Sequence, residues 1–174
     1  MANPLFDRTG RSALVTGAGG GIGAAVARAL GAARAAVLVS DLDADAASAV
    51  AQDICSNGGT ADSIALDVRD RQAADAAAAR AAGLTEGKLH ILVDNAGATA
   101  PGMFADLTGE SFYQVLDIHL MGAVHCTQSA LGFLPADGTG RIINVVSSAG
   151  LTGALGQVNY SAAKASRVHQ VVGT

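Results

Sequence analysis

The sequence predicts an α/β protein built on a doubly wound, parallel β-sheet. Short apolar runs alternate with longer Ala-rich segments at helical spacing, which is the pattern of successive β-α-β units. The length of 174 residues fits one globular domain, 1–174. Half of the residues are hydrophobic and only 15% are charged, so an intrinsically disordered chain is excluded.

Five strands and five helices are predicted in alternation along the chain. Each strand is nearly apolar throughout, as strands covered on both faces should be; they are 13–16, 36–40, 63–66, 89–93 and 141–146. The helices carry helix formers with polar residues on one side; they are 21–33, 44–56, 71–82, 109–134 and 158–174. A sheet of two mononucleotide-binding halves needs a sixth strand, so we expect it to be incomplete at its C-terminal edge.

The charge and the cysteine content limit which binding partners and which cellular compartment are expected. The net charge is −4 and no two Lys or Arg residues are adjacent, so a nucleic-acid partner is not expected. Cys55 and Cys126 are far apart, which favours a reducing, cytoplasmic location over a disulfide framework. No window of about 18 residues is apolar without polar interruption, and the first ten residues have no apolar core, so neither a membrane span nor a secretion signal is predicted.

The first predicted strand ends in a glycine-rich loop that leads into an Ala-rich helix. Its sequence is Thr16-Gly17-Ala18-Gly19-Gly20-Gly21-Ile22-Gly23. Residues without a Cβ let the backbone turn tightly and approach a pyrophosphate, while the helix directs its free N–H groups and positive dipole end at the same anion. The loop therefore predicts a dinucleotide site, with a plain glycine-rich turn as the alternative. A Walker-type loop is excluded, because no lysine lies near this turn.

Asp41 ends the second predicted strand, 18 residues after the last glycine of the loop. An acidic side chain there accepts hydrogen bonds from the adenosine ribose hydroxyls. A 2′-phosphate would meet a like charge, and neither Ser40 nor Leu42 offers a cation, so NAD is predicted rather than NADP. The alternative is an ordinary solvated aspartate. Asp67 and Val68, at the end of the third strand, are predicted to face the adenine.

Tyr160 and Lys164 are four residues apart in the last predicted helix, so they share one face, one turn apart. A fixed ammonium favours the phenolate, by about 4 kcal/mol at ~4 Å and an effective dielectric of ~20. This coupling brings the phenol into range for proton exchange near neutral pH. Ser147 follows the fifth strand, where open α/β sheets bind ligands, and is placed to hydrogen-bond a substrate oxygen. Alternatively, the Tyr and the Lys are ordinary surface residues.

Four motifs in this order resemble those of the short-chain dehydrogenase/reductase family, nicotinamide-dependent oxidoreductases with a Rossmann fold. They are the loop 16–23, Asn95-Ala96-Gly97 after the fourth strand, Ser147, and Tyr-x-x-x-Lys at Tyr160 and Lys164; the resemblance covers residues 10–164. It implies hydride transfer between nicotinamide and a small-molecule secondary alcohol or ketone. It also implies that Tyr160 is the general acid/base, that Lys164 lowers its pKa and holds the nicotinamide ribose, and that Ser147 orients the carbonyl.

Two residues depart from the family pattern inside the motifs. Asp94 stands where the family usually has asparagine, and His119 stands where a helix usually supplies an asparagine that helps to hold a relay water. An imidazole can also donate and accept, so His119 is predicted to substitute for it, with a packed helix histidine as the alternative. Members acting on fatty-acyl thioesters look similar at this histidine, which extends the implied substrates to 3-hydroxyacyl and 3-oxoacyl compounds.

The largest departure lies after the last predicted helix, where the family continues into a sixth strand, a closing segment and a substrate loop. The tail Ser166-Arg167-Val168-His169-Gln170 is also more polar than the helix that the family packs against a partner subunit, so a homo-oligomer is not favoured. Two functions stay open: an NAD-dependent oxidoreductase, and a truncated, inactive dinucleotide-binding fragment. No two-His-plus-carboxylate spacing and no Gly-x-Ser-x-Gly elbow occurs, so no metal site or serine nucleophile is predicted.

Overall fold

The computed structural model describes residues 6–168, which build one five-stranded sheet. All neighbouring strands run parallel, in the order β3-β2-β1-β4-β5. The strands are β1 (Ser12–Thr16), β2 (Ala36–Asp41), β3 (Thr60–Ala65), β4 (Ile91–Asp94) and β5 (Arg141–Asn144). The chain moves outward from β1 to β3 and then returns to the other side of β1, so the strand order reverses between β1 and β4. The predicted doubly wound sheet is confirmed.

Helices cover both faces of this sheet. They are α1 (Gly21–Ala32), α2 (Ala44–Ser56), α3 (Arg71–Gly83), α4 (Gly109–Leu116), α5 (Gly122–Leu131), α6 (Ala149–Thr152) and α7 (Val158–Val168). Val15 of β1 packs with α1 and α2, whereas its neighbour Leu14 packs with α3 and α5, because successive strand residues point to opposite faces. Most of the buried apolar residues of these helices are alanines, so the helices lie close against the sheet.

The two edge strands differ from the expectation that every strand is apolar and covered on both faces. β3 begins three residues before the predicted start and includes the half-buried Asp62. In β5, Ile143 is 48% exposed. An edge strand has one unpaired side and partial solvent contact, which removes the need for a continuous apolar run. The predicted segments 89–93 and 141–146 also extend too far, because β4 begins at Ile91 and β5 ends at Asn144.

The predicted helix 109–134 is also wrong as a single element. It consists of α4, a π-helical turn at Asp117–Met121, and α5, which ends at Leu131. The short helix α6 was not predicted. It packs so closely on α7 that a Cβ at Gly150 would lie 2.7 Å from the carbonyl carbon of Lys164.

The last predicted helix is present as α7 from Val158 to Val168, and its predicted continuation over 169–174 lies outside the described residues. Within residues 6–168, no helix is long and apolar enough to cross a bilayer.

Candidate active site

One continuous groove runs along the carboxyl ends of the strands, where the strand order reverses. Its first part is a cavity of about 520 Å³ beside α1, and its second part is a cavity of about 370 Å³ beside α7. Ile22, Asn95, Gly97 and Ala98 line both cavities. Open α/β sheets bind their ligands at this switch point. Other predicted site residues line one part each: Gly17, Asp41, Asp67, Val68 and Ala96 the first, and His119, Ser147, Tyr160 and Lys164 the second.

The glycines of the loop after β1 differ in how closely the surrounding chain approaches them. Gly17 has a φ of +61°, and a Cβ there would lie 2.8 Å from the Cα of Ala96. A Cβ at Gly23 would overlap the carbonyl oxygen of Gly17. These two positions need glycine so that the loop can fold against β4 and α1. By contrast, a Cβ at Gly20 or Gly21 would meet open space, and Gly21 needs glycine only for its positive φ of +52°.

The N-terminus of α1 is left uncapped by side chains. The carboxylates of Asp43 and Asp70 each accept hydrogen bonds from two backbone N–H groups at the starts of α2 and α3. α1 has no such cap and no acidic residue in its first turn. Its free N–H groups and the positive end of its dipole are therefore available to an anion, which fits the phosphates of a dinucleotide.

Asn95 and Thr16 fasten the glycine-rich loop to the end of β4. The side-chain amide of Asn95 donates to the carbonyl oxygens of Thr16 (2.9 Å) and Gly17 (2.8 Å). The Thr16 hydroxyl accepts from the backbone N–H groups of Asn95 and Ala96, each at 3.0 Å. These two residues shape the loop from behind, and Asn95 also borders the groove.

Asp41 both supports the loop and borders the groove. Its carboxylate accepts from the backbone N–H of Gly19 at 2.8 Å and of Asp43 at 3.1 Å. The sequence-adjacent residues supply no cation, but Arg69 lines the same cavity. Its guanidinium pairs with Asp67 at 2.6 Å, and this hydrogen bond lowers the pKa of Asp67. Arg69 was missed although it directly follows Asp67 and Val68, which were predicted to face the adenine; its position in the same cavity as Asp41 depends on the pairing of β2 with β3.

Lys164 lies in the second part of the groove beside Tyr160 and Ser147. Its ammonium donates to the carbonyl oxygen of Val145 at 2.7 Å and lies 5.7 Å from the centre of the Tyr160 ring. The side chain is buried, and this burial, with a smaller effect of the Arg167 charge, lowers the pKa of Lys164 to about 8. Ser147 accepts a hydrogen bond on its hydroxyl from the N–H of Ala149 at 3.2 Å.

His119 lies within the π-helical turn and is only 2% exposed. Its Nε2 lies 2.8 Å from the carbonyl oxygen and 3.2 Å from the backbone nitrogen of Ala98, and the shorter contact, to an acceptor, favours a proton on Nε2. Its Nδ1 is buried and has no partner among the described residues. Burial lowers the pKa of His119 to about 4, so the ring is neutral at pH 7 and Nδ1 is an acceptor. The ring also packs edge-on against Tyr160, with centroids 5.2 Å apart.

The burial of three polar side chains around α7 was not predicted from the sequence. Asn159 donates to the carbonyl oxygen of Ala100 at 2.9 Å and accepts from the N–H of Tyr160 at 2.8 Å, so it anchors the first turn of α7. Arg167, assigned to a polar tail, is only 2% exposed. Asp94 is buried as well, which raises the pKa of its carboxyl to about 7. Two of them had a signal in the sequence: Asn159 is an amide in the first turn of a predicted helix, and Asp94 departs from the family pattern.

Comparison with known proteins identifies a family. The family model of the short chain dehydrogenases matches residues 11–171. The hydroxyacyl-CoA dehydrogenase ChsB1 of Mycobacterium tuberculosis is 38% identical over 172 residues, covering 91% of this chain and 54% of that protein. A 3-oxoacyl-[acyl-carrier-protein] reductase of Synechocystis sp. is 37% identical over 158 residues, covering 90% of this chain and 64% of that protein.

A solved structure shows the same relationship. The crystal structure of a short chain dehydrogenase from Mycobacterium avium matches with a TM-score of 0.83 and 39% identity, covering 90% of this chain and 59% of that one. The chain therefore spans between half and two thirds of the length of these relatives.

Proposed function

Because the chain belongs to the short-chain dehydrogenase family of oxidoreductases, we propose that it transfers a hydride between NAD and the carbinol or carbonyl carbon of a small molecule. The single observation that carries this proposal is the continuous groove, in which the uncapped start of α1 leads to the cluster of Ser147, Tyr160 and Lys164. A dinucleotide site and a proton-transfer site thus share one surface.

The first part of the groove fits a nicotinamide dinucleotide. The free N–H groups of α1 would hold its phosphates, Asp41 its adenosine ribose, and Asp67 and Val68 would flank its adenine. We favour NAD over NADP because the Asp41 carboxylate would repel a 2′-phosphate. Arg69, the cation among the residues that line this cavity, is already paired with Asp67.

In the second part of the groove, side chains of this protein carry out the proton transfer. When bound, the dinucleotide donates or accepts the hydride. Tyr160 exchanges a proton with the substrate oxygen at its phenolic oxygen, and Ser147 donates a hydrogen bond to the same oxygen. Lys164, whose amine lies 5.7 Å from the centre of the Tyr160 ring, is placed to hold the nicotinamide ribose. We assign to His119 the role of holding a relay water; because its unpaired Nδ1 is buried against Gly97, a water reaches that atom only after a local movement.

The substrate class is inferred from the relatives. One is named for hydroxyacyl-CoA and another for 3-oxoacyl groups on an acyl carrier protein. We therefore assign 3-hydroxyacyl or 3-oxoacyl thioesters as the first substrates to test. The cytoplasmic location belongs to the same proposal, and the free state of both Cys55 and Cys126 supports it.

A second candidate function is dinucleotide binding without turnover. The observation that favours it is the exposure of the groove after β5, where Val146, which lines the second cavity beside Ser147, is 44% exposed. Catalysis of this kind benefits from a closed site that excludes water. Binding of the dinucleotide at α1 does not depend on the exposed part of the groove beside Ser147.

The two candidates are separated by one pair of measurements on the full chain. NADH is titrated by its fluorescence, and turnover is followed with a panel of 3-hydroxyacyl-CoA, 3-oxoacyl-CoA and secondary-alcohol compounds. Saturable binding with turnover supports the oxidoreductase, whereas saturable binding without turnover selects the second candidate. Absence of binding would overturn both.

The variant Tyr160→Phe tests the proposed proton transfer. Turnover should fall by about 10²–10⁴-fold because the phenolic proton is gone, while NADH affinity stays within twofold, roughly, of the wild type. Tyr113→Phe is the matched control: Tyr113 is the only other tyrosine, is 70% exposed and lies on α4. Retained turnover in Tyr160→Phe would refute the role of Tyr160.

A further inference from the structure

Arg167 bridges two strand ends beneath the groove. Its Nη2 donates to the carbonyl oxygen of Asp94 and to the side-chain oxygen of Asn144, the latter at 3.0 Å. Asp94 and Asn144 are the last residues of β4 and β5 and are paired in register. One guanidinium therefore holds two neighbouring strands and α7 together at the edge of the sheet that carries the proposed site.

The side chain of Asp94 supplies the opposite charge in this buried region. It is 2% exposed, and its Oδ2 accepts from the Thr127 hydroxyl at 3.2 Å. Burial raises the pKa of Asp94 to about 7, and the positive charge of Arg167 opposes this increase. Burial likewise lowers the pKa of Arg167, and the negative charge of Asp94 opposes that decrease. Each group therefore reduces the desolvation cost of the other, and the loss of one alone would leave an uncompensated charge.

Arg167 lies on the same face of α7 as Tyr160 and Lys164, the proposed catalytic pair. Residues 160, 164 and 167 are spaced four and three apart, so their side chains follow one stripe of α7. Lys164 donates to the carbonyl of Val145, and Arg167 contacts Asn144, the preceding residue. Two successive turns of α7 are thus attached to two successive residues of the chain that leads directly to Ser147.

We propose that Arg167 is a positioning residue: its guanidinium, with Asp94 as countercharge, fixes α7 on the ends of β4 and β5 and so sets the register of Tyr160 and Lys164 against Ser147. The meaning of that register rests on the proposed function. The attachment itself does not, because it is a property of the folded chain.

The environment of Lys164 provides a readout that needs no turnover. The titratable groups around it are Tyr160 and Arg167 on α7, His119 on the π-helical turn and, beyond Arg167, Asp94 on β4. Removing the guanidinium both takes away a nearby positive charge and loosens the helix that buries the amine. Both changes favour the protonated amine, so both raise the pKa of Lys164.

The test is a pH titration of the two lysines, Lys88 and Lys164, by NMR of ¹³Cε-labelled lysine in the full chain. Lys88→Arg assigns the signals. In the wild type, the midpoint of Lys164 should lie near 8, below the ordinary lysine value. Arg167→Met should move the midpoint of Lys164 upward, toward the ordinary lysine value of 10.5. Arg141→Met removes an exposed arginine of β5 and is the control that should leave it unchanged.

Because Arg167→Met can fail to fold with Asp94 left unpaired, the double variant Arg167→Met/Asp94→Asn is measured in parallel. It should regain the thermal stability lost in the single variant but keep the raised Lys164 midpoint. Arg167→Lys keeps the positive charge but loses the two-point attachment, so it should raise the midpoint as well, and an unchanged midpoint in this variant would overturn the positioning role. A wild-type Lys164 midpoint in the folded double variant would overturn the proposal. If the wild type binds NADH without turnover, the proposed reaction fails while this titration still decides the role of Arg167.

Discussion

The two parts of the groove differ in whether backbone groups or side chains form them. Around α1 the site consists mainly of backbone: glycines that let the chain turn, and N–H groups left free at the start of a helix. Around α7 it consists of buried polar side chains, among them His119, Lys164 and Arg167. The nucleotide part therefore depends on shape, whereas the proposed catalytic part depends on charges held out of water and should respond to pH.

The largest expected effect concerns the buried carboxyl of Asp94. Its pKa is 3.8 in the unfolded chain and about 7 in the folded one. The folded state therefore binds the proton more tightly, so this contribution to stability is complete below pH 3.8 and is lost as the pH rises through 7. We therefore compare the free energies of unfolding of the wild type and of Asp94→Asn. The wild-type value relative to the variant should fall by an amount on the order of 4 kcal/mol between pH 4 and pH 8.

Urea unfolding of both chains across this range measures the difference. His119 has the opposite sign, because burial lowers its pKa from 6.5 to about 4, but it is present in both chains and cancels to first order. A difference that does not change with pH would contradict the buried, titrating state of Asp94 and remove the electrostatic contrast between the two parts of the groove.

The next effect tests the dependence of the nucleotide part on shape. Gly23→Ala should destabilise the chain by about 1–3 kcal/mol, because the new methyl group would overlap the Gly17 carbonyl and approach the Asn95 amide. NADH affinity should fall with it, since the loop must move. Gly20→Ala, where a Cβ meets open space, is the control for stability in the absence of NADH. Equal thermal midpoints for the two variants would show that the loop is not tightly packed.

The smallest effect concerns the charge that borders the nucleotide part. Asp41→Asn keeps an oxygen that can accept from the Gly19 N–H but removes the carboxylate charge. The ratio of NADPH to NADH affinity should rise roughly tenfold, as expected for one charge acting near the surface. Titrations of both coenzymes by fluorescence measure this ratio. An unchanged ratio would mean that Asp41 does not face the adenosine ribose.

The alternation of strands and helices and the position of the glycine-rich loop could be predicted because both are local features. The apolar runs of β1 and β2 and the glycine spacing at 17–23 need no knowledge of distant residues. The polar strand β3 was only partly predicted, because its place at the sheet edge is a property of the whole sheet. The π-helical turn at His119 interrupts a continuous helical pattern and has no distinct local signal.

The side chains of the candidate site were predicted unequally for the same reason. Tyr160 and Lys164 share a helix face by spacing alone, so their proximity followed from the sequence. The burial of Arg167 depends on strand ends that are 23 and 73 residues away in the chain. Arg69 enters the groove only through the pairing of β2 with β3. Contacts of this range are invisible to periodicity and local composition.

The most direct test of the central claim is a crystal structure of the full chain with NADH. The account predicts the pyrophosphate at the start of α1 and the nicotinamide in the cavity lined by Ser147, Tyr160 and Lys164, with the Ser147 and Tyr160 oxygens both facing its reactive carbon. A coenzyme bound outside this groove, or a phenolic oxygen of Tyr160 turned away from the nicotinamide, would contradict it.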